Sequence, residues 1–176
     1  AGRPRSGIHL QLPVLGGLIL GFVTLQRLGE LVLARRNTAR LLAEGAHEVA
    51  AGHYGLIVLL HAAWLVGLWA VVVLRPVETV NLGWLAVFAV LQVGRAWVIA
   101  TLGRRWTTRI VVLPGAPLVR RGPYRFVSHP NYLVVAGEML VLPLVFGLAA
   151  FGLVFFVLNA AVLWIRIRAE DRALGR

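Results

Sequence analysis

Long apolar runs separated by short polar segments dominate this chain, and their lengths predict membrane-spanning helices. An α-helix needs roughly 20 residues to cross about 30 Å of hydrocarbon. Three runs come close to that length: residues 12–33, 54–74 and 80–102. We therefore expect three helices that each cross a membrane once.

A fourth apolar stretch, residues 133–165, is too long for one crossing, because a single helix of that length would extend roughly 50 Å. Pro143 and Gly147 lie near its middle and favour a break. We expect a short span over residues 132–146 and another over residues 149–167, joined as a helical hairpin. The sequence thus predicts an all-α integral membrane protein with about five transmembrane helices, in a single domain over residues 1–176.

The composition agrees with an apolar surface that faces lipid. The chain is 59% hydrophobic and has a mean hydropathy of +0.81, well above soluble domains. It contains no cysteine, which excludes disulfides, thiolate zinc sites and a cysteine nucleophile.

The net charge of +11 comes from arginine, and the arginines cluster after the first, third and fifth predicted spans. This pattern is typical of contact with anionic lipid head groups, and it disfavours nucleic acid as a partner. The positive-inside rule places the three basic segments in the cytoplasm. The absence of lysine indicates a GC-rich genome, so we expect a bacterial inner or plasma membrane.

Charged residues inside apolar spans are candidates for function. Arg27 and Glu30 are three residues apart and can pair on one helix face, which favours a structural ion pair. Arg95 is expected to extend towards the interface. Glu138 has no basic neighbour in sequence, so it needs a partner from another helix, a proton or a ligand. Structural and catalytic roles remain open for it.

Three histidines invite a metal hypothesis, but their spacing matches no helical ligand pair and no acidic cluster accompanies them. They are His47, His53 and His61. We expect no metal site, and structural or head-group contacts instead. The sequence also lacks a dinucleotide-binding glycine motif, a Walker loop and a serine elbow.

The most informative segment is residues 121–132, a basic, turn-forming loop that leads directly into the apolar hairpin. It carries His129 and two tyrosines. At the end of the fifth span, Arg166 and Glu170 are four residues apart and share a helix face. The loop and the helix end together offer a cation, an anion, an imidazole and aromatic rings at one membrane interface.

These motifs resemble the isoprenylcysteine carboxyl methyltransferase family of integral membrane methyltransferases. The resemblance covers about residues 112–174 and rests on Gly122-Pro-Tyr, His129-Pro-Asn-Tyr and Arg166-x-x-x-Glu-Asp. Residues 26–37 and 45–48 look like a bacterial branch whose members methylate alkylpyrone or alkylresorcinol lipids. Two positions depart from the family pattern: Ser128 stands where arginine is usual, and Asp171 stands where a second glutamate is usual.

The resemblance implies S-adenosylmethionine as methyl donor, bound by a cytoplasmic loop and the C-terminal tail within about residues 112–176. Carried over by position, Arg166 and Glu170 shape the reaction centre, and Glu138 joins them as a catalytic candidate. The implied cofactor-binding residues are Tyr124, His129, Pro130, Tyr132 and Glu170, and Arg125 or Arg121 is expected to substitute for the arginine that Ser128 replaces.

The implied acceptor is a lipophilic molecule that enters from the bilayer. A carboxylate acceptor needs a cation such as Arg166. A phenol or enol also needs a base, for which His129, Glu138 and Glu170 are candidates. We expect Glu138→Gln to change the preference between these acceptor types.

Two other functions fit parts of the sequence. Membrane lipid reductases of the sterol-reductase type share a related C-terminal architecture, but a dinucleotide requires more polar loop than this chain offers. A non-catalytic membrane protein that binds lipid or a partner explains the hydrophobicity and the arginines, but not the paired motifs. No obligate protein partner is evident from the sequence.

Overall fold

The computed structural model describes residues 11–75 and 80–175, and it is all-helical apart from one short strand pair. Within these residues lie five α-helices: α1 (Gln11–Ala43), α2 (Tyr54–Leu74), α3 (Leu82–Leu102), α4 (Pro130–Val145) and α5 (Ala149–Leu174). Four of them, all except α4, are long and apolar enough to cross a membrane. The predicted all-α membrane architecture, including the hairpin of α4 and α5, is confirmed.

Helix α1 continues to Ala43, well beyond the predicted end at residue 33. Its last turns pack against the chain that follows α3. There the buried side chain of Asn37 donates hydrogen bonds to the backbone oxygens of Gly103 (3.2 Å) and Trp106 (2.8 Å). Hydropathy does not register such contacts, so the apolar pattern marked only the more hydrophobic part of α1.

Helix α3 begins at Leu82 rather than at residue 80 because Asn81 caps it: the Asn81 side chain accepts a hydrogen bond from the Trp84 backbone N–H at 3.1 Å. Helix α5 also runs longer than predicted and ends at Leu174, followed by the capping residue Gly175, whose φ of +68° suits glycine.

The α4–α5 hairpin is tight. Gly147 has a φ of +73° in the three-residue turn, a conformation that other L-residues adopt at a cost. One turn into α5, a Cβ built on Gly152 would lie 3.0 Å from the Leu140 backbone oxygen and 3.1 Å from Pro143 Cβ. The two helices therefore pack backbone to backbone at this point.

The core lies between the helices, whereas their outer faces are apolar and exposed. Trp64 of α2 is almost fully buried, and its indole N–H donates to the Met139 backbone oxygen of α4 at 3.2 Å. Large apolar residues such as Leu18, Leu59 and Val90 are more than half exposed. Apolar surface on this scale needs lipid around it.

A short antiparallel strand pair, which the sequence analysis did not predict, ties two loops together. Strand β1 (His47–Val49) follows α1, and strand β2 (Ile110–Val112) follows α3. Glu48 pairs with Val111 in the ladder, and the Glu48 carboxylate accepts a hydrogen bond from Arg109 Nη1 at 2.7 Å. This contact raises the pKa of Arg109, so the guanidinium stays charged at every physiological pH.

Candidate active site

A cavity of about 640 Å³ lies between the helices and the segment that follows α3, a size typical of small-molecule sites. Its walls in α1 and α2 are largely apolar, with Leu28, Leu31 and Leu65 among the lining residues. Polar groups concentrate at its two ends. One end faces the loop before α4 and the C-terminal part of α5, and the other lies deeper between α1, α2 and α3.

The loop-side end brings together the residues of the two sequence motifs, here called the motif cluster: His129, Tyr132, Arg166, Glu170 and Asp171. The Tyr132 hydroxyl donates to Glu170 Oε2 at 2.6 Å, and the His129 and Tyr132 rings stack with centroids 5.5 Å apart. His129 Nε2 lies 3.0 Å from Asp171 Oδ1, and His129 Nδ1 lies 3.8 Å from Glu170 Oε2. Residues 42 positions apart in the chain therefore meet because the hairpin folds α5 back along α4.

Arg166 completes the cluster from α5, with only 5% of its surface exposed. Its Nη2 donates to the Thr108 backbone oxygen at 2.9 Å, and its guanidinium lies 5.9 Å from the centre of the Tyr132 ring. Its Nε is buried and has no hydrogen-bond partner among the described residues. A buried arginine with an unused donor is suited to bind an oxygen of a ligand.

The other predicted cofactor residues surround the same end. Tyr124 lines the large cavity and also a smaller neighbouring one of about 450 Å³, which Arg125 and Ser128 line as well. Pro130 is buried at the first position of α4, where proline is favoured. The structure thus brings the predicted loop residues together, with Arg125 on the smaller cavity rather than the large one.

At the deep end, four charged residues form a buried ion cluster: Arg27, Glu30, Arg95 and Glu138. Arg27 contacts Glu30 at 3.0 Å and Glu138 at 2.5 Å. Arg95 contacts Glu30 at 2.9 Å and forms a two-point contact with Glu138. Two guanidinium groups and two carboxylates give the cluster no net charge.

The predicted Arg27–Glu30 pair is confirmed, but the expectation for Arg95 was wrong. Arg95 is 3% exposed and does not extend to the interface, because two carboxylates from α1 and α4 hold it between the helices. The position of Arg95 near the end of an apolar span suggested the membrane interface. Its acidic partners, Glu30 and Glu138, come close to it only in the tertiary fold.

Glu138 has the partners from other helices that its sequence context required. Its carboxylate, 1% exposed, accepts hydrogen bonds from Arg27, Arg95 and Gln92 Nε2, the last at 2.7 Å. Glu138 is not among the residues that line the cavity, whereas Arg27, Glu30 and Arg95 are. Its geometry is that of a residue that positions two arginines, and a catalytic role for it stays a prediction.

Several cavity residues escaped the sequence analysis. Trp106 and Asn131 line the cavity, and Trp106 Nε1 and Asn131 Oδ1 are buried without a hydrogen-bond partner within the described part of the chain. His61 of α2 also lines it, although its sequence spacing suggested only a structural or head-group contact. The signal that could have singled out His61 is a titratable side chain inside a hydrophobic span.

The strand pair reaches the motif cluster through Thr108. Arg109 stacks over the Tyr54 ring at 4.5 Å, and the Tyr54 hydroxyl lies 3.2 Å from Thr108 Oγ1. The backbone oxygen of the same threonine holds Arg166. The segment between α3 and α4 is therefore positioned by α2 and β1 before it contacts α5.

Comparison with known proteins identifies the part of the chain that carries the motifs. The model of the isoprenylcysteine carboxyl methyltransferase (ICMT) family matches residues 84–176. The chain is also 38% identical over 160 residues to the uncharacterized protein YpbQ of Bacillus subtilis (strain 168). The alignment covers 89% of this chain and 95% of that protein. No solved structure matches the chain. The family match includes the whole motif cluster, whereas α1 and α2 lie before it.

Proposed function

Because the chain belongs to the isoprenylcysteine carboxyl methyltransferase family, we propose that it is a membrane-embedded O-methyltransferase that uses S-adenosylmethionine. The chain is a multi-pass membrane protein by family and by its four long apolar helices. The observation that carries the proposal is the motif cluster, which lies at one end of a cavity whose walls between its two polar ends are largely apolar. Such a cavity suits a polar cofactor beside a lipophilic acceptor.

The residues present fit the cofactor. Its sulfonium is a cation, its amino-acid end carries both charges, and its nucleoside offers hydrogen-bonding groups. The loop-side end provides carboxylates in Glu170 and Asp171, a buried cation in Arg166, and unsatisfied polar atoms on Trp106 and Asn131. Unsatisfied buried polar atoms are costly unless a ligand or water pairs with them. These atoms favour a polar ligand at this end of the cavity.

When bound, S-adenosylmethionine supplies a methyl group that its sulfonium already activates, so the protein mainly aligns donor and acceptor and excludes water. In the proposed site Glu170 and Arg166 hold the charged amino-acid end. Tyr124, which borders both cavities, presents an aromatic face suited to the sulfonium charge. His129, Pro130, Tyr132 and Arg125 complete the binding surface on the loop side.

The proposed acceptor is lipophilic, because apolar side chains make up most of the cavity wall in α2 and the outer faces of the helices are exposed for lipid. Its reactive oxygen belongs to an enol or phenol of the alkylpyrone or alkylresorcinol type, or to an isoprenylcysteine-like carboxylate. The arginines that flank the loop before α4 favour a cytoplasmic position for the cofactor-binding end, in a bacterial inner or plasma membrane.

The first test is binding of S-adenosylhomocysteine to the detergent-purified protein by calorimetry. We expect micromolar binding that Glu170→Ala abolishes and that Glu44→Ala, an exposed acid away from the cavity, leaves unchanged. Transfer of a radiolabelled methyl group to a bacterial lipid extract then identifies the acceptor. Absence of binding in a folded protein that binds NADPH instead would contradict the proposal and favour the reductase alternative.

A further inference from the structure

His61 presents an unused proton acceptor to the cavity. Its Nδ1 lies 2.8 Å from the backbone oxygen of Ile57, one turn earlier in α2. A carbonyl oxygen only accepts, so in the neutral ring the hydrogen is on Nδ1 and Nε2 carries the lone pair. Nε2 lies on the side of the ring away from the α2 backbone, and no hydrogen bond from the described residues reaches it.

Arg27 adds an unused donor at the same end. Arg27 and Glu30 line the cavity together with His61, and Arg27 Nε is buried without a hydrogen-bond partner in the described part of the chain. An imidazole lone pair and a guanidinium N–H are complementary to a hydroxyl group, which donates to the first and accepts from the second.

The charge of this end selects against an anion. The two arginines of the ion cluster are already matched by Glu30 and Glu138 at contact distances. A carboxylate brought to this end would find no uncompensated positive charge to offset its desolvation, whereas a neutral hydroxyl requires none.

The other candidate bases are held by neighbouring side chains. His129 is paired with Asp171, and Glu170 accepts from the Tyr132 hydroxyl. Glu138 accepts from three side chains and is absent from the cavity wall. His61 lines the cavity, and its ring makes no hydrogen bond to another side chain of the described residues.

We propose that His61 and Arg27 bind the hydroxyl of an enol or phenol acceptor and that His61 removes its proton. This inference rests on the methyltransferase function proposed above. As the new oxygen–methyl bond forms, the sulfur–methyl bond of the sulfonium donor breaks and its electron pair stays on sulfur. The hydroxyl proton passes to His61 Nε2, and the imidazolium later loses it to water. Six residues of α4, a rise of about 9 Å, separate Tyr132 of the motif cluster from Glu138 of the ion cluster, and residues of both clusters line the same cavity as His61.

The test compares two variants of this histidine. Glutamine in His61→Gln keeps a hydrogen-bond acceptor near the position of Nε2 but takes up no proton, whereas His61→Leu keeps neither property. His53→Gln changes an exposed histidine that does not line the cavity and serves as the matched control. Each protein is assayed with an alkylresorcinol, whose phenol is a weak acid, and with an alkylpyrone, whose enol is more acidic.

We expect S-adenosylhomocysteine to bind the parent protein and all three variants with the same Kd. In His61→Gln, kcat for the alkylresorcinol falls about 100-fold or more with little change in KM, because a positioned base contributes about that much. The kcat for the alkylpyrone falls less than about tenfold, since a more acidic hydroxyl loses its proton with less help from a positioned base. His61→Leu also raises KM for the alkylresorcinol.

Three results overturn the inference. Equal losses of kcat on both acceptors, or no loss on either, show that His61 does not act as a base. Faster methylation of a prenylcysteine carboxylate than of the two hydroxyl acceptors shows that the deep end does not select hydroxyls. A parent protein that binds no S-adenosylhomocysteine removes the proposed function itself, and this inference with it.

Discussion

Glu138→Gln tests whether the buried ion cluster is held together by its charge balance. Glutamine has nearly the shape of glutamate but no charge, so the variant leaves Arg27 and Arg95 opposite Glu30 alone. In the parent protein the Glu138 carboxylate accepts hydrogen bonds from both arginines and from Gln92. Arg95 is 3% exposed, so bulk water compensates little for the lost carboxylate charge.

The expected loss in free energy of unfolding is about 3–5 kcal/mol, the usual consequence of leaving one buried charge unmatched. A second variant distinguishes charge imbalance from lost packing. Arg95→Gln combined with Glu138→Gln leaves Arg27 with Glu30, which is again neutral. The double variant should therefore be more stable than the sum of the two single losses predicts, with a coupling energy of roughly 1–3 kcal/mol.

The measurement is equilibrium unfolding in mixed micelles, followed by tryptophan fluorescence and repeated for both single variants and the double variant. Losses that simply add would refute the charge-balance argument and leave packing as the cause. The same Glu138→Gln protein, assayed on carboxylate and hydroxyl acceptors, tests the catalytic prediction: an unchanged acceptor preference removes any role for Glu138 in acceptor choice.

Three further predictions follow from single contacts. Tyr132→Phe removes the 2.6 Å hydrogen bond to Glu170 and should weaken S-adenosylhomocysteine binding roughly 10- to 150-fold in calorimetry, since a hydrogen bond to a charged group contributes about 1.5–3 kcal/mol; unchanged affinity would remove Tyr132 from the cofactor site. Gly152→Leu, whose Cβ meets the Leu140 backbone oxygen at 3.0 Å, should lower the free energy of unfolding by about 1–3 kcal/mol, and a neutral effect would mean that the hairpin can open. Asn159 is 0% exposed and neither of its amide atoms has a partner among the described residues, so Asn159→Leu should stabilise the protein by about 1–3 kcal/mol in the same unfolding assay; destabilisation would point to a bound polar partner.

Much of the fold follows from hydropathy and chain-breaking residues. In a membrane the apolar runs must be helices, because every backbone polar group needs an internal partner. Pro143 and Gly147 predicted the position of the hairpin turn, because proline and glycine interrupt a continuous helix. The pattern did not predict the last turns of α1, because Asn37 stabilises them by hydrogen bonds to a distant loop.

The motif cluster was also accessible from the sequence, since its residues lie in two segments that a hairpin must bring together. The arrangement of residues at the deep end of the cavity could not be predicted from the sequence. His61, Arg95 and Glu138 come from three different helices, and the rotation of each helix decides which side chain faces the cavity. Each of these three side chains lies among apolar residues in its own helix, so the positions of apolar and polar residues in the sequence carry little information about the rotation of that helix.

The neutrality of the ion cluster has a consequence for how the chain enters the bilayer during synthesis. When α1, α2 and α3 have been inserted, Arg27, Glu30 and Arg95 are present and one positive charge is unmatched. Helix α4 follows with 16 residues, about 24 Å, and carries Glu138 near its middle, where an ionised residue costs about 2.5–3.5 kcal/mol or more to insert alone. We expect Arg27 and Arg95 to offset that cost by pairing with Glu138. Helix α4 should therefore insert only after α1 and α3, which carry these arginines.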